Sequence, residues 1–506
     1  MVSIKKISLY IVYYVCLLAI IYCLFVGYGF WSGLFLYVAN IMRNHDFKYG
    51  FLLFPLFEIV VVVIPVTVLA CVYNRKYLNR SVQKRENHTA LLIPCHKSES
   101  IIGKTLENAL LIFDKESIFV IDNAHNENPL DNTKTICERY GVNYTWVPIG
   151  SKIVSMYIGA KLAQKFEYIL QIDDDMVLDK DMTFPIKEDT DCIAYVMSAI
   201  NKEDKETTLV QKCQDVEYKT AGIVKAVHSW LGNVSFAHGG ISLWKRTSFI
   251  KVLENHPMYP ISDDWFTGYI ANTMGMRIRV CDQKFISSDT PRTLFGNGRV
   301  SGYGSATVWK QRFFRWYALI LLQIVYNIYY LFFVWSFSFR RILFQKLFML
   351  WRCGIMTIII LRYVILGYSF YLRYTFTLIM FFASLITWLI TFLVFNVRIL
   401  KGDEKFDWYM FFLFPFYKFQ DIFLCIGAMY YGLLYKIPNV LIEDRINIKN
   451  NEKINKVLGN YTLTEIISSD NNRFISSDNN ISDFLIVNDD TTHKSSFTSV
   501  ENLINN

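Results

Sequence analysis

Tyr168-Ile169-Leu170-Gln171-Ile172-Asp173-Asp174-Asp175 is an apolar run that ends in three carboxylates. A short apolar run bounded in this way reads as a buried strand. Side chains alternate sides along a strand, so Asp173 and Asp175 project the same way if the alternation persists to its end. Two like charges on one face require a cation. A hard, oxygen-ligated ion such as Mg²⁺ or Mn²⁺ suits them, and a nucleotide diphosphate can supply its remaining ligands. A solvated acidic turn is the plain alternative, and the rest of the chain weighs against it.

Around this run, strand-like and helix-like segments alternate from Ala90 onward, the pattern of a nucleotide-binding α/β sheet. Leu91-Leu92-Ile93-Pro94 and Ile118-Phe119-Val120-Ile121-Asp122-Asn123 read as strands. Ser98 to Phe113 and Lys152 to Phe166 read as helices. Ligands of such sheets bind at the carboxyl ends of the strands. Asp122 and the acidic triplet both fall at such ends.

The 506 residues are 53% hydrophobic and 16% aromatic, so much of the chain is suited to lipid. Charges are sparse before Asn74 and between Tyr317 and Val397, and dense from Arg75 to Arg315. This contrast predicts a membrane–soluble–membrane plan. Ile7–Phe30 and Phe51–Tyr73 reach the ~20 apolar residues that a span needs. Lys5 and Lys6 precede the first; Arg75, Lys76, Arg80, Lys84 and Arg85 follow the second, which places both flanks and the soluble domain in the cytosol. The net charge of +8 is assigned to these juxtamembrane residues, with no nucleic-acid partner. The ten cysteines form no CxxC pair, so neither a disulfide framework nor a zinc site is expected.

Past Arg315 the chain turns apolar again. Tyr317–Phe337 is expected to lie in the interface, because Arg340, Arg341 and Lys346 follow it directly. Cys353–Tyr371 and Thr375–Val397 are better spans, joined by a turn around Arg373. Phe411–Tyr435, interrupted by Pro415, Lys418 and Asp421, is expected to be a re-entrant or interfacial hairpin. Four regions result: 1–85, two spans and a linker; 86–310, the soluble domain; 311–438, the interfacial helix and spans; and 439–506, a polar tail with too little apolar surface to fold.

Several further motifs carry chemistry. Ser262-Asp263-Asp264-Trp265 adds acidic groups, and Gly239-Gly240 allows close backbone approach. Gly296, Gly298, Gly302 and Gly304 mark a loop. On an α-helix, Gln311, Arg312, Arg315 and Trp316 share one face, with Phe313, Phe314 and Tyr317 toward the membrane. Guanidinium groups beside an indole suit a pyrophosphate next to a stacked sugar ring; a basic-aromatic membrane anchor is the alternative.

Together these residues resemble the family 2 glycosyltransferases of the hyaluronan, chitin and cellulose synthase type over roughly Ala90 to Trp316. Asp263-Asp264-Trp265-Phe266, Asp289-Thr290-Pro291-Arg292 and Lys310-Gln311-Arg312-Phe313-Phe314-Arg315-Trp316 are most similar to the fungal type 2 members described as hyaluronan-synthase-like. The resemblance implies a GT-A, Rossmann-like, nucleotide-sugar-binding α/β domain in the cytosol, flanked by transmembrane α-helices and followed by a disordered C-terminal tail. It implies that Asp122 contacts uracil and that Lys152 lies near the nucleotide. Asp173 and Asp175 match the DxD pair that holds Mg²⁺ or Mn²⁺, and Asp264 matches the general base. Gly239, Gly240, Asp263, Gln311 and Arg312 fall among the substrate-binding positions, and Arg315 and Trp316 match the RW pair. Two departures stand out: Arg312 occupies the family's Gln position, giving RxxRW, and the base motif reads Ser-Asp-Asp.

The expected activity is inverting transfer from a UDP-sugar donor to a polysaccharide or lipid acceptor by an integral membrane protein, in the plasma membrane or the Golgi. A processive synthase that exports its polymer is the first reading, with Arg362 lining its channel or pairing with Glu58. A non-processive enzyme making a glycolipid on ceramide or a polyprenyl phosphate is the second. A transporter or receptor that only binds a nucleotide or a partner is the third.

Overall fold

The computed structural model describes residues 4–25, 88–180, 182–186, 188–200, 207–288, 290–296, 299–301, 304–336 and 339–459. Helix α1 (Ile4–Phe25) covers most of the first expected span. The second, at Phe51–Tyr73, lies outside the described residues, as do Gly298 and Gly302 of the glycine loop.

Strands β1 (Thr89–Cys95), β2 (Ile118–Asn123), β3 (Asn143–Val147) and β4 (Tyr168–Ile172) alternate with helices α2 (Ile102–Ala109), α3 (Thr133–Tyr140) and α4 (Lys152–Leu162). β1, β2 and β4 are buried along their whole length, as near-continuous apolar strands must be when both faces are covered. Ser151 caps α4 by accepting from the Val154 amide at 3.4 Å. Gly159 lets α4 settle on the sheet, since a Cβ there would stand 2.1 Å from Leu92 Cδ1.

The chain continues through β5 (Met176–Val177), β6 (Cys192–Ser198), α5 (Leu209–Leu231), β7 (Ile241–Lys245), α6 (Arg246–Glu254), α7 (Asp263–Thr273) and β8 (Ile278–Ser288). The sheet runs β3-β2-β1-β4-β7-β6-β8-β5, parallel across β3-β2-β1-β4 and antiparallel where β7 enters. Only Asp173-Asp174-Asp175 separates β4 from β5 in sequence, yet β7, β6 and β8 lie between them in the sheet. Three residues cannot cross a flat sheet of that width. The sheet therefore curls back on itself, and the acidic triplet bridges the fold. The fold is a GT-A, Rossmann-like α/β fold with a curled sheet.

A two-stranded ribbon, β9 (Arg299–Ser301) and β10 (Gly304–Ala306), precedes α8 (Val308–Gln311). Next come a π-helical turn (Arg312–Trp316), α9 (Ile320–Phe333), α10 (Phe339–Arg398), α11 (Met410–Tyr431), a second π turn (Gly432–Lys436) and α12 (Ile437–Ile442). Two helices are long and apolar enough to cross a membrane, Tyr374–Arg398 and Met410–Ile442. Val308–Trp316 and Ile320–Phe333 qualify only as a pair, bent by 43°. Tyr13 and Tyr14 of α1 donate to the Leu433 and Leu434 carbonyls at 2.8 and 2.6 Å, which seats α1 against the second π turn.

Three expectations change. Phe411–Tyr435 is not a hairpin: helix runs through Met410–Ile442, because Lys418 and Asp421 pair with each other and with inward-facing partners instead of breaking it. The turn expected at Arg373 is absent, and helical structure continues through Phe339–Arg398. The polar segment from Asn439 starts ordered. Ile448 and Ile454 are buried, and Lys449 and Lys453 reach Glu254 and Glu127 at 3.7 and 3.2 Å.

Candidate active site

The carboxyl ends of β2 and β4 carry the first candidates. Asp122 ends β2, is 1% exposed, and accepts from the Tyr144 hydroxyl at 2.9 Å. Burial pushes its carboxyl up to about 6, against the Tyr144 hydrogen bond. Because β1 alone separates β2 from β4, Asp122 lies roughly 10 Å from the β4 end.

Beyond β4 the strand alternation persists. Asp174 is buried and its carboxylate accepts from Ser98, while Asp173 and Asp175 on the other side stay half-buried. Antiparallel pairing of β4 with β7 brings the Asp173 amide 2.9 Å from the Gly240 carbonyl, so the acidic triplet and the glycine pair are neighbours. Beneath them Trp244 donates to Ser242, Ser242 to Gln171, and Gln171 to the Gly239 carbonyl, at 2.9, 3.1 and 3.0 Å. A relay of this kind satisfies buried polar atoms and fixes the glycine backbone.

Lys152, at the first turn of α4, ties the parts together. Its ammonium stands 2.6 Å from Asp173 Oδ1 and 3.4 Å from Asp263 Oδ2, and donates to the Gly239 carbonyl at 3.3 Å. Asp263 and Asp264 open α7 behind Ser262, whose φ of 57° is left-handed and strained for a residue with a Cβ. A Cβ at Gly239 would stand 3.2 Å from the Asp264 Cβ, so glycine lets this backbone lie on the carboxylate. Burial alone would raise Asp263, but Lys152 and then Arg315 outweigh it and hold the carboxyl below its ordinary range. Asp264 is raised, by burial first and then by Asp263, with Lys225 opposing.

The residues after α8 are placed differently from the α-helical expectation. The Tyr317 amide bonds to the Arg312 carbonyl at 2.9 Å, five residues back, and the wider turn splits the expected face. Arg315 and Trp316 are exposed, and the Ser262 hydroxyl donates to the Arg315 carbonyl at 3.4 Å. Arg312 turns the other way. Its side chain is fully buried, ion-paired with Glu217 of α5 and Asp421 of α11, and hydrogen-bonded to the Tyr417 hydroxyl at 2.6 Å. Lys418 completes the cluster, 2.6 Å from Glu217. A guanidinium saturated by two carboxylates is not available to a diphosphate, so the expectation for Arg312 as a substrate ligand is corrected. Gln311 does not share the Arg315 face either; its carbonyl oxygen is buried and unbonded among the described residues. Phe313 and Phe314 pack on Tyr431 of α11.

Tyr218, which the sequence did not single out, lies at the centre. Its ring centroid is 5.4 Å from His238 and 6.2 Å from Trp316. The structure thus gathers Lys152, Asp173, Gly239, Gly240, Asp263 and Asp264 by direct contact, and joins Arg315 and Trp316 to them through Ser262 and Tyr218.

No group of three or more His, Cys, Asp or Glu side chains is placed to hold a metal among the described residues. Asp173 and Asp175 nevertheless fit a hard divalent cation. Asp175 is pushed up to about 8, by burial first and then by the charges of Asp174 and Asp173, with Lys152 opposing. Such crowded carboxylate oxygens suit a hard ion.

A curled GT-A sheet with carboxylates and a lysine at its strand ends defines a nucleotide-sugar glycosyltransferase fold. Residues 86–318 match the family described as glycosyltransferase like family 2, and this part of the chain is a glycosyltransferase family 2 domain. The poly-β-1,6-N-acetyl-D-glucosamine synthase of Staphylococcus epidermidis is 23% identical over 185 residues, 35% of this chain and 44% of that one. The match thus spans less than half the length of that relative. Among solved structures, the mannosyltransferase PcManGT from Pyrobaculum calidifontis, in complex with GDP-Man and Mn²⁺, aligns at a TM-score of 0.41 and 11% identity. That alignment covers 77% of this chain and all of the other. TarS of S. aureus aligns at 0.32 and 14% identity, over 68% of this chain and 55% of its own.

Proposed function

We propose that this protein is a membrane-embedded, inverting glycosyltransferase that takes a UDP-sugar and extends a polysaccharide, exporting it past the helices that follow Trp316. The reading includes kinship with the hyaluronan, chitin and cellulose synthases and residence in the plasma membrane, with the catalytic domain cytosolic. One observation carries it: the carboxylates joined by Lys152 lie beside Arg315 and Trp316, at the point where the chain passes into its apolar helices. The polymer-forming relative supports the choice of acceptor.

In this mechanism Asp264 is the general base. Its Oδ1 already accepts from the Trp265 amide at 2.8 Å, which leaves Oδ2 for the acceptor hydroxyl proton. As that oxygen forms its bond to the anomeric carbon, the bond from that carbon to the diphosphate breaks and the electron pair leaves with UDP. A positioned base of this kind contributes ~10²–10⁴-fold. Arg315 faces the growing charge on the departing diphosphate. Lys152 lies at the diphosphate side of Asp173, and Asp122 takes the uracil edge. A Mg²⁺ or Mn²⁺ ion held by Asp173 and Asp175 would supply further charge neutralisation to the leaving group.

The test is donor profiling. Purified full-length protein is given Mn²⁺ or Mg²⁺ and each UDP-sugar in turn, with UDP release and product mass as readouts. High-mass product sensitive to a glycanase supports the proposal. Low-mass, lipid-extractable product would replace it with a glycolipid-forming transferase, and UDP binding without release would leave a receptor or transporter.

A further inference from the structure

The chemistry above leaves Tyr218 and its surroundings without a role. Tyr218 sits on α5 beside Glu217, and the two side chains do different things. Glu217 is pinned by Arg312 and Lys418, while the Tyr218 ring lies half-buried between His238 and Trp316. His238 directly precedes Gly239, which lies on Asp264. The charges of both Asp175 and Asp264 act on Tyr218, so it stands between the donor end and the base end of the cleft.

The two rings meet edge to face, at 65°. Such a pair presents one ring face and one ring edge to whatever enters, the geometry that suits the C–H face of a pyranose with its hydroxyls directed outward. Both rings are also fixed from behind by one cluster: Arg312 stacks under Trp316 at 5.5 Å while holding Glu217, the neighbour of Tyr218. A saturated ion-pair cluster of this kind costs desolvation energy and is retained where it fixes a geometry.

We propose that Tyr218 is a substrate-contact residue, forming with Trp316 a two-ring platform for the pyranose at the growing end of the acceptor. This rests on the polysaccharide-synthase reading. The platform orients the acceptor hydroxyl toward Asp264, and the Glu217–Arg312–Asp421–Lys418 cluster keeps its two rings in register.

The experiment compares Tyr218→Ala and Tyr218→Phe with the wild type in the full-length protein. It uses the radiolabelled UDP-sugar that the wild type turns over, and UDP with Mn²⁺ as a separate binding probe. Tyr218→Ala is expected to lower label incorporation about tenfold, the order of one lost aromatic contact. Tyr218→Phe, which keeps the ring, is expected to stay within about threefold, and UDP affinity within about twofold in both. Incorporation by Tyr218→Ala equal to wild type would overturn the assignment. So would a parallel loss of UDP binding in Tyr218→Phe, which would make Tyr218 a donor or structural residue. A wild type that makes only lipid-linked product, or binds no UDP, would overturn the synthase reading and the platform with it.

Discussion

Lys152 Nζ lies 2.6 Å from Asp173 Oδ1, closing an ion pair between the first turn of α4 and the end of β4. The lysine also reaches Asp263, so one flexible side chain spans the two acidic motifs that the chain keeps far apart in sequence. Lys152→Ala is expected to raise the donor KM roughly 10–100-fold, the value of one charge-assisted contact. Steady-state kinetics against UDP-sugar would measure it, and an unchanged KM would remove Lys152 from the donor site.

Asp264→Asn keeps the shape of the base and removes its function. Turnover is expected to fall by ~10²–10⁴-fold with UDP affinity retained. The wild-type rate should rise with pH as Asp264 ionises. Because burial and then Asp263 raise this carboxyl, that acid limb should lie above the ordinary carboxylate range. A flat profile between pH 4 and 7, or full activity in the Asn variant, would move the base elsewhere.

Asp122 gives a stability prediction. Its folded-state carboxyl is pushed up to about 6 from 3.8, by burial first. Between those two values the folded protein binds more protons than the unfolded chain, so stability should fall as pH rises from about 4 to about 6. Asp122→Asn removes this dependence and should stabilise the protein at pH 7 by up to roughly 3 kcal/mol, while weakening uracil binding. Thermal melting in detergent across that pH range would check it; an unaltered pH slope in the variant contradicts it.

Arg312→Ala tests whether this arginine holds the structure or the substrate. Removing one member of a buried ion cluster leaves the carboxylates of Glu217 and Asp421 poorly compensated, at about 3–5 kcal/mol. A large drop in melting temperature is expected. A normal melt with weakened UDP binding would return Arg312 to the diphosphate.

Gly268→Ala should damage the site from below. A Cβ there would stand 2.3 Å from Phe236 Cβ and 2.4 Å from the Ser235 carbonyl oxygen, so the loop leading to Gly239 must move away from α7. Overpacking of this kind costs about 1–3 kcal/mol. Turnover should drop together with stability, and a variant with wild-type melting and kinetics would show that the loop has room to shift.

Much of this molecule is written locally. Apolar runs that end in charge mark β1, β2 and β4, and alternation along β4 is enough to separate Asp174 from Asp173 and Asp175. The glycines at 239 and 240, the acids at 263 and 264 and the lysine at 152 are visible as residue types suited to the chemistry. Long apolar stretches are equally plain, since a span is defined by composition over some twenty positions. Those features need no knowledge of what lies across the fold.

Tertiary structure decided the rest. Arg312 and Arg315 look alike in sequence, yet a π turn sends one into a buried cluster with Glu217 and Asp421 and leaves the other exposed beside Ser262. Lys418 and Asp421 look like interruptions of a helix until their partners on α5 and the π turn are known. Tyr218 carries no local signal, because an aromatic residue on an amphipathic helix reads as core. In each case the side chain's role depends on which partner neutralises or contacts it, and those partners arrive from segments some hundred residues away that only the folded chain brings together.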